Sequence, residues 1–267
     1  MQLKDLVQKL NNIWPVETAE EWDRVGLSVG RISSLIKRTL VTVDVTMDVI
    51  EEAKARDCQL ILSHHPLLLK PVNTLADDST KGSLVSALIE AKIASFGAHT
   101  NADVSVDGAT YQLAKRLDLQ NLKSLVSKVD GLWHGIYGEF IDSRSLESVA
   151  ASVAASVPRT SRGVAFTGSP ETKVKTVALC SGAGDSYIGD ALAINADLFI
   201  SGDLRHHLVQ DAIEFQRDGA PMALMDVSHW AFESLWVEVA VQKLETIDGV
   251  EFIASALNTD PWTGVKN

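Results

Sequence analysis

The chain has 267 residues, 46% hydrophobic and 22% charged, a usage that belongs to ordinary folded proteins and excludes disordered or collagen-like chains. One large domain and two interlocked lobes are both possible at this length, because single cores stop growing at roughly 250 to 300 residues. Thirty-five acidic against 24 basic side chains leave a formal net charge of −11, which argues against nucleic-acid or anionic-membrane binding without a local basic patch, and no Lys/Arg-rich run supplies one.

From the N-terminus, Leu3, Leu6, Val7 and Leu10 fall at helical spacing with charges between them, the pattern of an amphipathic helix and not of a signal-peptide core. Leu40 to Val45 reads as a strand, Asp48 to Arg56 as a helix, Gln59 to Ser63 and Ile93 to Phe96 as strands, and Ala109 to Arg116 as a helix. Ser124 to Phe140, with Trp133, Tyr137 and two glycines near its end, suits an antiparallel strand and a crossover between lobes. Ala150 to Pro158 and the turn at Pro158 to Gly163 interrupt the pattern, and a hinge could sit on either region. Thr176 to Cys180 then reads as strand, Asp185 to Asn195 as helix, Asp197 to Ser201 as strand, His229 to Leu244 as a long helix, and Glu251 to Ser255 as a last strand.

This alternation predicts an α/β protein with a largely parallel sheet. The segments Thr39 to Ser63 and Thr176 to Ser201 differ by one residue in length and share one grammar. They read either as an internal duplication or as two βαβ units that merely look alike. The expected organisation is a first lobe of residues 1–125 with 218–267 and a second lobe of 126–217. No apolar run approaches the ~20 residues of a membrane span. Cys58 and Cys180 each lie inside an apolar stretch, so no disulfide framework or thiolate zinc site is available, and a reducing cytoplasm fits.

Six of the seven histidines fall in four short segments, two of which carry a doublet; random scatter would give about 0.2 adjacent pairs. Each segment follows an apolar run, and in open α/β sheets ligands bind beyond the carboxyl ends of strands. In Ser63-His-His-Pro66, Pro66 holds His65 extended and takes the chain out of the strand, so both imidazoles can face one cavity. In Gly97-Ala-His-Thr-Asn-Ala-Asp103, Asp103 offers a hard oxygen ligand and His99 a substrate or supporting hydrogen bond, although Asn101 and Asp103 could equally cap a helix. In Asp226-Val-Ser-His229-Trp-Ala-Phe-Glu233, His229 and Glu233 stand at i and i+4 on one helical face. Ile200-Ser-Gly-Asp203-Leu-Arg-His-His207 offers His207 as an acid or base and Arg205 for phosphate, with Asp203 as a helix cap the alternative. The Ser181-Gly-Ala-Gly184 loop could cradle an anion or be a simple turn.

The candidate metal ligands are therefore His64, His65, Asp103, His229 and Glu233. Three imidazoles and two carboxylates without thiolate suit zinc, manganese or ferrous iron. Five are too many for one open zinc and fit two divalent ions roughly 3.5 to 4 Å apart, a centre for metal-assisted hydrolysis.

These segments, together with Ala19-Glu-Glu-Trp-Asp-Arg-Val-Gly-Leu27, resemble the Nif-three-like dinuclear-metal-centre hexameric proteins, also called GTP cyclohydrolase I type 2 homologues. The resemblance runs in order from about Pro15 to about Glu233. It implies two similar α/β lobes with a dinuclear metal cleft, two divalent ions per subunit and a toroidal homohexamer built as a trimer of dimers. It implies the same five ligands, with His99 and His207 lining the cleft as catalytic candidates. The activity it implies is a cytoplasmic metal-dependent hydrolase acting on a nucleotide or related heterocycle, the alternative being a non-catalytic metal-binding assembly or regulatory protein. This chain departs from the family at Ser228, where glycine is common, at Phe232, where a small residue is common, and at Ala102, where leucine is common. It is the short form, without the extra inserted domain.

Overall fold

A computed structural model describes residues 1–105, 107–126, 133–216 and 221–266. The chain forms a mixed α/β fold with two sheets, and its contacts divide it into two compact units, Met1–Ala102 with Trp236–Thr259, and Asp103–Leu235 with Asp260–Asn267. The expected lobe boundary at 217/218 and part of the Ser124 to Phe140 segment lie outside the described residues.

The first unit opens with α1 (Leu3–Ile13), whose Leu3, Leu6 and Leu10 are buried as the helical period requires. There follow β1 (Gly26–Val29), β2 (Arg38–Thr42), α2 (Met47–Ala55), β3 (Leu60–Ser63), α3 (Thr80–Ala91), β4 (Ala94–Gly97) and the short α4 (Thr100–Asp103). Thr46 and Ser79 cap α2 and α3, their hydroxyls accepting from the N–H groups of Val49 and Gly82. Further along come α5 (Ala109–Arg116), β5 (Gln120–Val126), β6 (His134–Ser145), α6 (Leu146–Ser156), β7 (Val164–Phe166), β8 (Lys173–Ala183), α7 (Ile188–Ala193), β9 (Leu198–Gly202), α8 (His206–Phe215), β10 (Ala223–Val227), α9 (His229–Leu244) and β11 (Glu251–Ala254).

The first sheet has the order β1-β4-β3-β2-β11, with β4, β3, β2 and β11 parallel and β1 antiparallel at the edge. Every residue of β3 and β4 is buried, which is why these strands read as continuous apolar runs without alternation. Leu40, Ile50, Ile61, Val85 and Leu88 pack one core there. Register places Thr42 beside Ser63 and Ser63 beside Gly97. The carboxyl ends of three parallel strands therefore lie in one row, and the residues that follow them emerge side by side.

The second sheet has the order β5-β6-β8-β9-β10-β7, parallel only across β8, β9 and β10. Here too the strand ends align, Ala183 with Gly202 and Gly202 with Val227. Both repeated segments are βαβ units with parallel strands, β2-α2-β3 and β8-α7-β9. The first sheet is largely parallel, as expected, with the one antiparallel strand β1 at its edge, whereas antiparallel strands flank the parallel centre of the second sheet on both sides. Ala150 to Ser156 is not an interruption but the body of α6, capped by the Ser145 hydroxyl, which accepts from the N–H of Ser148. Asp185 to Tyr187 is a 3-10 turn ahead of a helix shorter than the sequence suggests. Among the described residues no helix is long and apolar enough to cross a membrane.

Candidate metal centre

In the first unit the aligned strand ends bring three imidazoles together. The ring centroids of His64, His65 and His99 lie 5.5, 5.3 and 5.5 Å apart pairwise. The backbone N–H groups of His64 and His65 donate to the carbonyls of Thr42 and Val43, so the pairing with β2 continues past the strand and fixes both residues. His64 is fully buried, its ring packed 5.1 Å from that of Trp236, which in turn meets Trp14.

Each of the three rings is held through Nδ1. His64 Nδ1 lies 3.0 Å from the carbonyl oxygen of Ala98, His65 Nδ1 2.7 Å from Oδ1 of Asp44, and His99 Nδ1 3.0 Å from Oδ1 of Asp23. Carbonyl and carboxylate oxygens only accept, so Nδ1 carries the proton and donates. In a neutral ring the lone pair is then on Nε2, the tautomer a metal takes. Asp44 also accepts from Thr259 Oγ1 at 2.5 Å, and Asp23 from the N–H of Thr100 at 3.0 Å and the N–H of Arg24 at 2.7 Å. Burial pushes the Asp23 carboxyl up, but the hydrogen bonds from His99 and Thr100 outweigh it and hold the group well below its ordinary value.

In the second unit α9 begins directly after β10, and His229 and Glu233 occupy its first turns. His229 Nε2 lies 3.1 Å from Oε2 of Glu233, and its Nδ1 lies 2.8 Å from Oδ2 of Asp203. Burial alone would depress His229, but these carboxylates push it up to about 11. A metal taken up by this ring therefore displaces a proton. Glu233 is only 2% exposed, an expensive place for a carboxylate without a cation. Its Oε1 lies against the backbone of Gly182, where a Cβ would come within 2.7 Å of it. Asp103 accepts from Ser181 Oγ at 3.3 Å, and Ser181 in turn accepts from Thr110 Oγ1 at 2.9 Å.

Among the described residues His64, His65, His99, Asp103, His229 and Glu233 belong to clusters of histidine and acid side chains that could hold a metal ion. Their nitrogen and oxygen donors fit a divalent first-row ion. His207 belongs to none of these clusters: it lies exposed in the first turn of α8, its ring 5.3 Å from that of His206.

Three expectations change here. Asp203 does not cap α8, whose N-cap is Arg205; its carboxylate serves His229 instead, and that hydrogen bond holds it below its usual value. Arg205 does not stand free beside His207: its guanidinium pairs with Asp185. Ser181 to Ala183 are strand and not an anion loop, and the N–H of Gly184 donates to Ser201 Oγ at 2.9 Å. The supporting roles of Asp23, Asp44 and Gly182 were missed in the sequence. Asp44 left one signal there, an acid inside the apolar run of Leu40 to Val45.

A family model described as Duf34/NIF3 (NGG1p interacting factor 3) matches residues 1–261. The "GTP cyclohydrolase 1 type 2 homolog" of Streptomyces coelicolor is 36% identical over 273 residues, covering 98% of this chain and 94% of the relative. Its namesake from Clostridium perfringens is 31% identical over 98% of this chain and 99% of its own. Among solved structures a Staphylococcus aureus protein is similar with a TM-score of 0.87 and 27% identity, covering 99% of both chains. The Bacillus cereus protein related to NIF3 shares the fold with a TM-score of 0.89 at 22% identity, again over 99% of both.

Proposed function

The chain belongs to the Duf34/NIF3 (NGG1p interacting factor 3) family, and on that premise we propose that it is a metal-dependent hydrolase acting on a nucleotide or related heterocycle. In this reading it works in the cytoplasm as a toroidal homohexamer, a trimer of dimers. Each subunit holds two divalent ions, zinc, iron or manganese, through His64, His65, Asp103, His229 and Glu233. The observation that carries the reading is the triangle of three imidazoles, of which His64 and His65 present the tautomer that binds metal and His99 stands beside them with its Nε2 free of the Asp23 hydrogen bond. The names of its relatives support a heterocyclic substrate.

When bound, divalent ions supply Lewis-acid activation of water for attack on an electrophilic carbon, such as an imidazole-ring carbon of GTP. The chain's own groups do the rest. His99, fixed at Nδ1 by Asp23, presents its other nitrogen for moving a proton between water and the leaving nitrogen. His207 is the second candidate for that transfer. Glu233 and Asp103, each oriented by neighbours, balance positive charge at the site.

Protein loaded separately with zinc, manganese and ferrous iron, offered GTP and a panel of phosphoesters, tests this. We expect turnover with at least one ion, abolished in Glu233→Ala while light scattering still reports six 28.9-kDa chains. If no substrate turns over, and His229 and Glu233 variants lose assembly or stability instead, the metal organises the protein without catalysis.

A further inference from the structure

Away from the histidine clusters, the first unit carries a second concave surface. A cavity of about 850 Å³ lies between the edge strand β1 and helix α3, walled by Val29, Leu75, Val85, Leu88, Ile89 and Ile93. Its size is that of small-molecule sites, roughly 300 to 1,000 Å³, which are mostly apolar with a few placed polar groups. Those groups here are cationic. Arg31 and Lys92 line the cavity, and neither side chain has a hydrogen-bond or ion-pair partner among the described residues. No carboxylate of the described residues lines it, although acids outnumber bases 35 to 24 in the chain.

The two cations stand on chain segments that a close approach sets side by side. Gly30, at φ +139°, lies so near the start of β4 that a Cβ on it would fall 2.7 Å from Cβ of Ala94. Arg31 follows Gly30 directly and Lys92 precedes Ala94 by two residues. Lys92 also ends α3 in the left-handed region, φ 58°, where glycine is the unstrained residue. The chain thus keeps a long cation at a position whose backbone favours none.

We propose that this cavity binds a small amphipathic anion of the aliphatic carboxylate class, its head group held by Arg31 and Lys92 and its hydrocarbon body laid along α3. Charge complementarity favours the anion: two cations with no ion-pair partner among the described residues stand on adjoining segments that line an apolar cavity, in a chain that is otherwise acidic. The half-exposed and exposed apolar groups, among them Ile89 at 62% exposure, are what a hydrocarbon chain would cover.

Isothermal titration of the full chain with decanoate, and with decanol as the uncharged chain of equal length, tests the proposal. We expect saturable one-to-one binding of decanoate, at least tenfold weaker binding of decanol, and at least a tenfold loss of decanoate affinity in Arg31→Ala and in Lys92→Gly. Lys92→Gly suits the left-handed backbone, so its thermal midpoint should not fall, which separates lost recognition from lost folding. No saturable heat with decanoate would overturn the proposal, as would equal affinity for decanol or unchanged affinity in both variants. A second copy of the chain seated on this face would give the first of those results, with concentration-dependent assembly that decanoate does not disturb.

Discussion

Asp203 holds its carboxylate 2.8 Å from Nδ1 of His229 from a backbone position, φ 49°, that non-glycine residues rarely occupy. The strain falls on the residue that takes the Nδ1 side of this imidazole, and orientation of a ligand ring through its second nitrogen typically governs metal affinity by about 10- to 100-fold. Asparagine tolerates the same backbone and keeps the side chain's shape, but loses the charge. We therefore expect Asp203→Asn to fold normally by circular dichroism and to bind zinc about tenfold or more weakly in a competitive chelator titration.

Gly182 is required by both its backbone, φ 69°, and its neighbour, since a Cβ would sit 2.7 Å from Oε1 of Glu233. Gly182→Ala should displace that carboxylate and lower the melting temperature, at a cost of about 1–3 kcal/mol for strain at such a site. Differential scanning calorimetry reads the second effect and metal content the first. An alanine variant that matched the parent in both would show that the carboxylate moves aside without consequence.

The buried Asp23, with His99 and Thr100 as donors, links stability to pH. Its folded value lies below the ordinary 3.8, so its contribution is fully present above about pH 4 and is lost as pH falls through the depressed folded value. Asp23→Asn should cost about 1–3 kcal/mol at neutral pH, the usual penalty for leaving buried partners poorly satisfied. The variant should also show a shallower loss of urea stability than the parent below pH 4. Parallel slopes in the two proteins would assign the acid sensitivity elsewhere.

The βαβ units were legible because buried parallel strands leave continuous apolar runs, as at Leu60 to Ser63, and α9 because its 16 residues run long and largely apolar with no Gly or Pro to break them. The ligand-bearing segments were legible for a related reason: each sits just past such a run. What the sequence does not carry is register. The row Thr42, Ser63 and Gly97 is set by pairing between strands far apart in sequence, and only that row places Asp44 on His65. Asp203 looked like a helix cap because aspartate before a helix usually is one; its left-handed backbone, a tertiary outcome, turns the side chain to His229 instead. The body of α6 was obscured by its Ala, Ser and Val content, which describes a helix packed on one face as well as it describes a loop.

Burial pushes the Cys58 thiol up to about 11, so at about pH 8 roughly one molecule in a thousand presents the thiolate, the form that reacts. Cys58 is 4% exposed as well. Ellman's reagent should leave Cys58 unmodified in native protein for as long as it stays folded and modify it promptly in denaturant. Prompt labelling of Cys58 in native protein, located by peptide mass mapping, would contradict its packing in the core that holds Leu40 and Ile61.

We propose that His64, His65, Asp103, His229 and Glu233 hold two ions. Elemental analysis of anaerobically purified protein, parent against Glu233→Ala, tests it most directly. We expect about two divalent ions per chain in the parent and a clear fall in the variant. Less than one ion per chain in both, even after supplementation with zinc, manganese and iron, would contradict it.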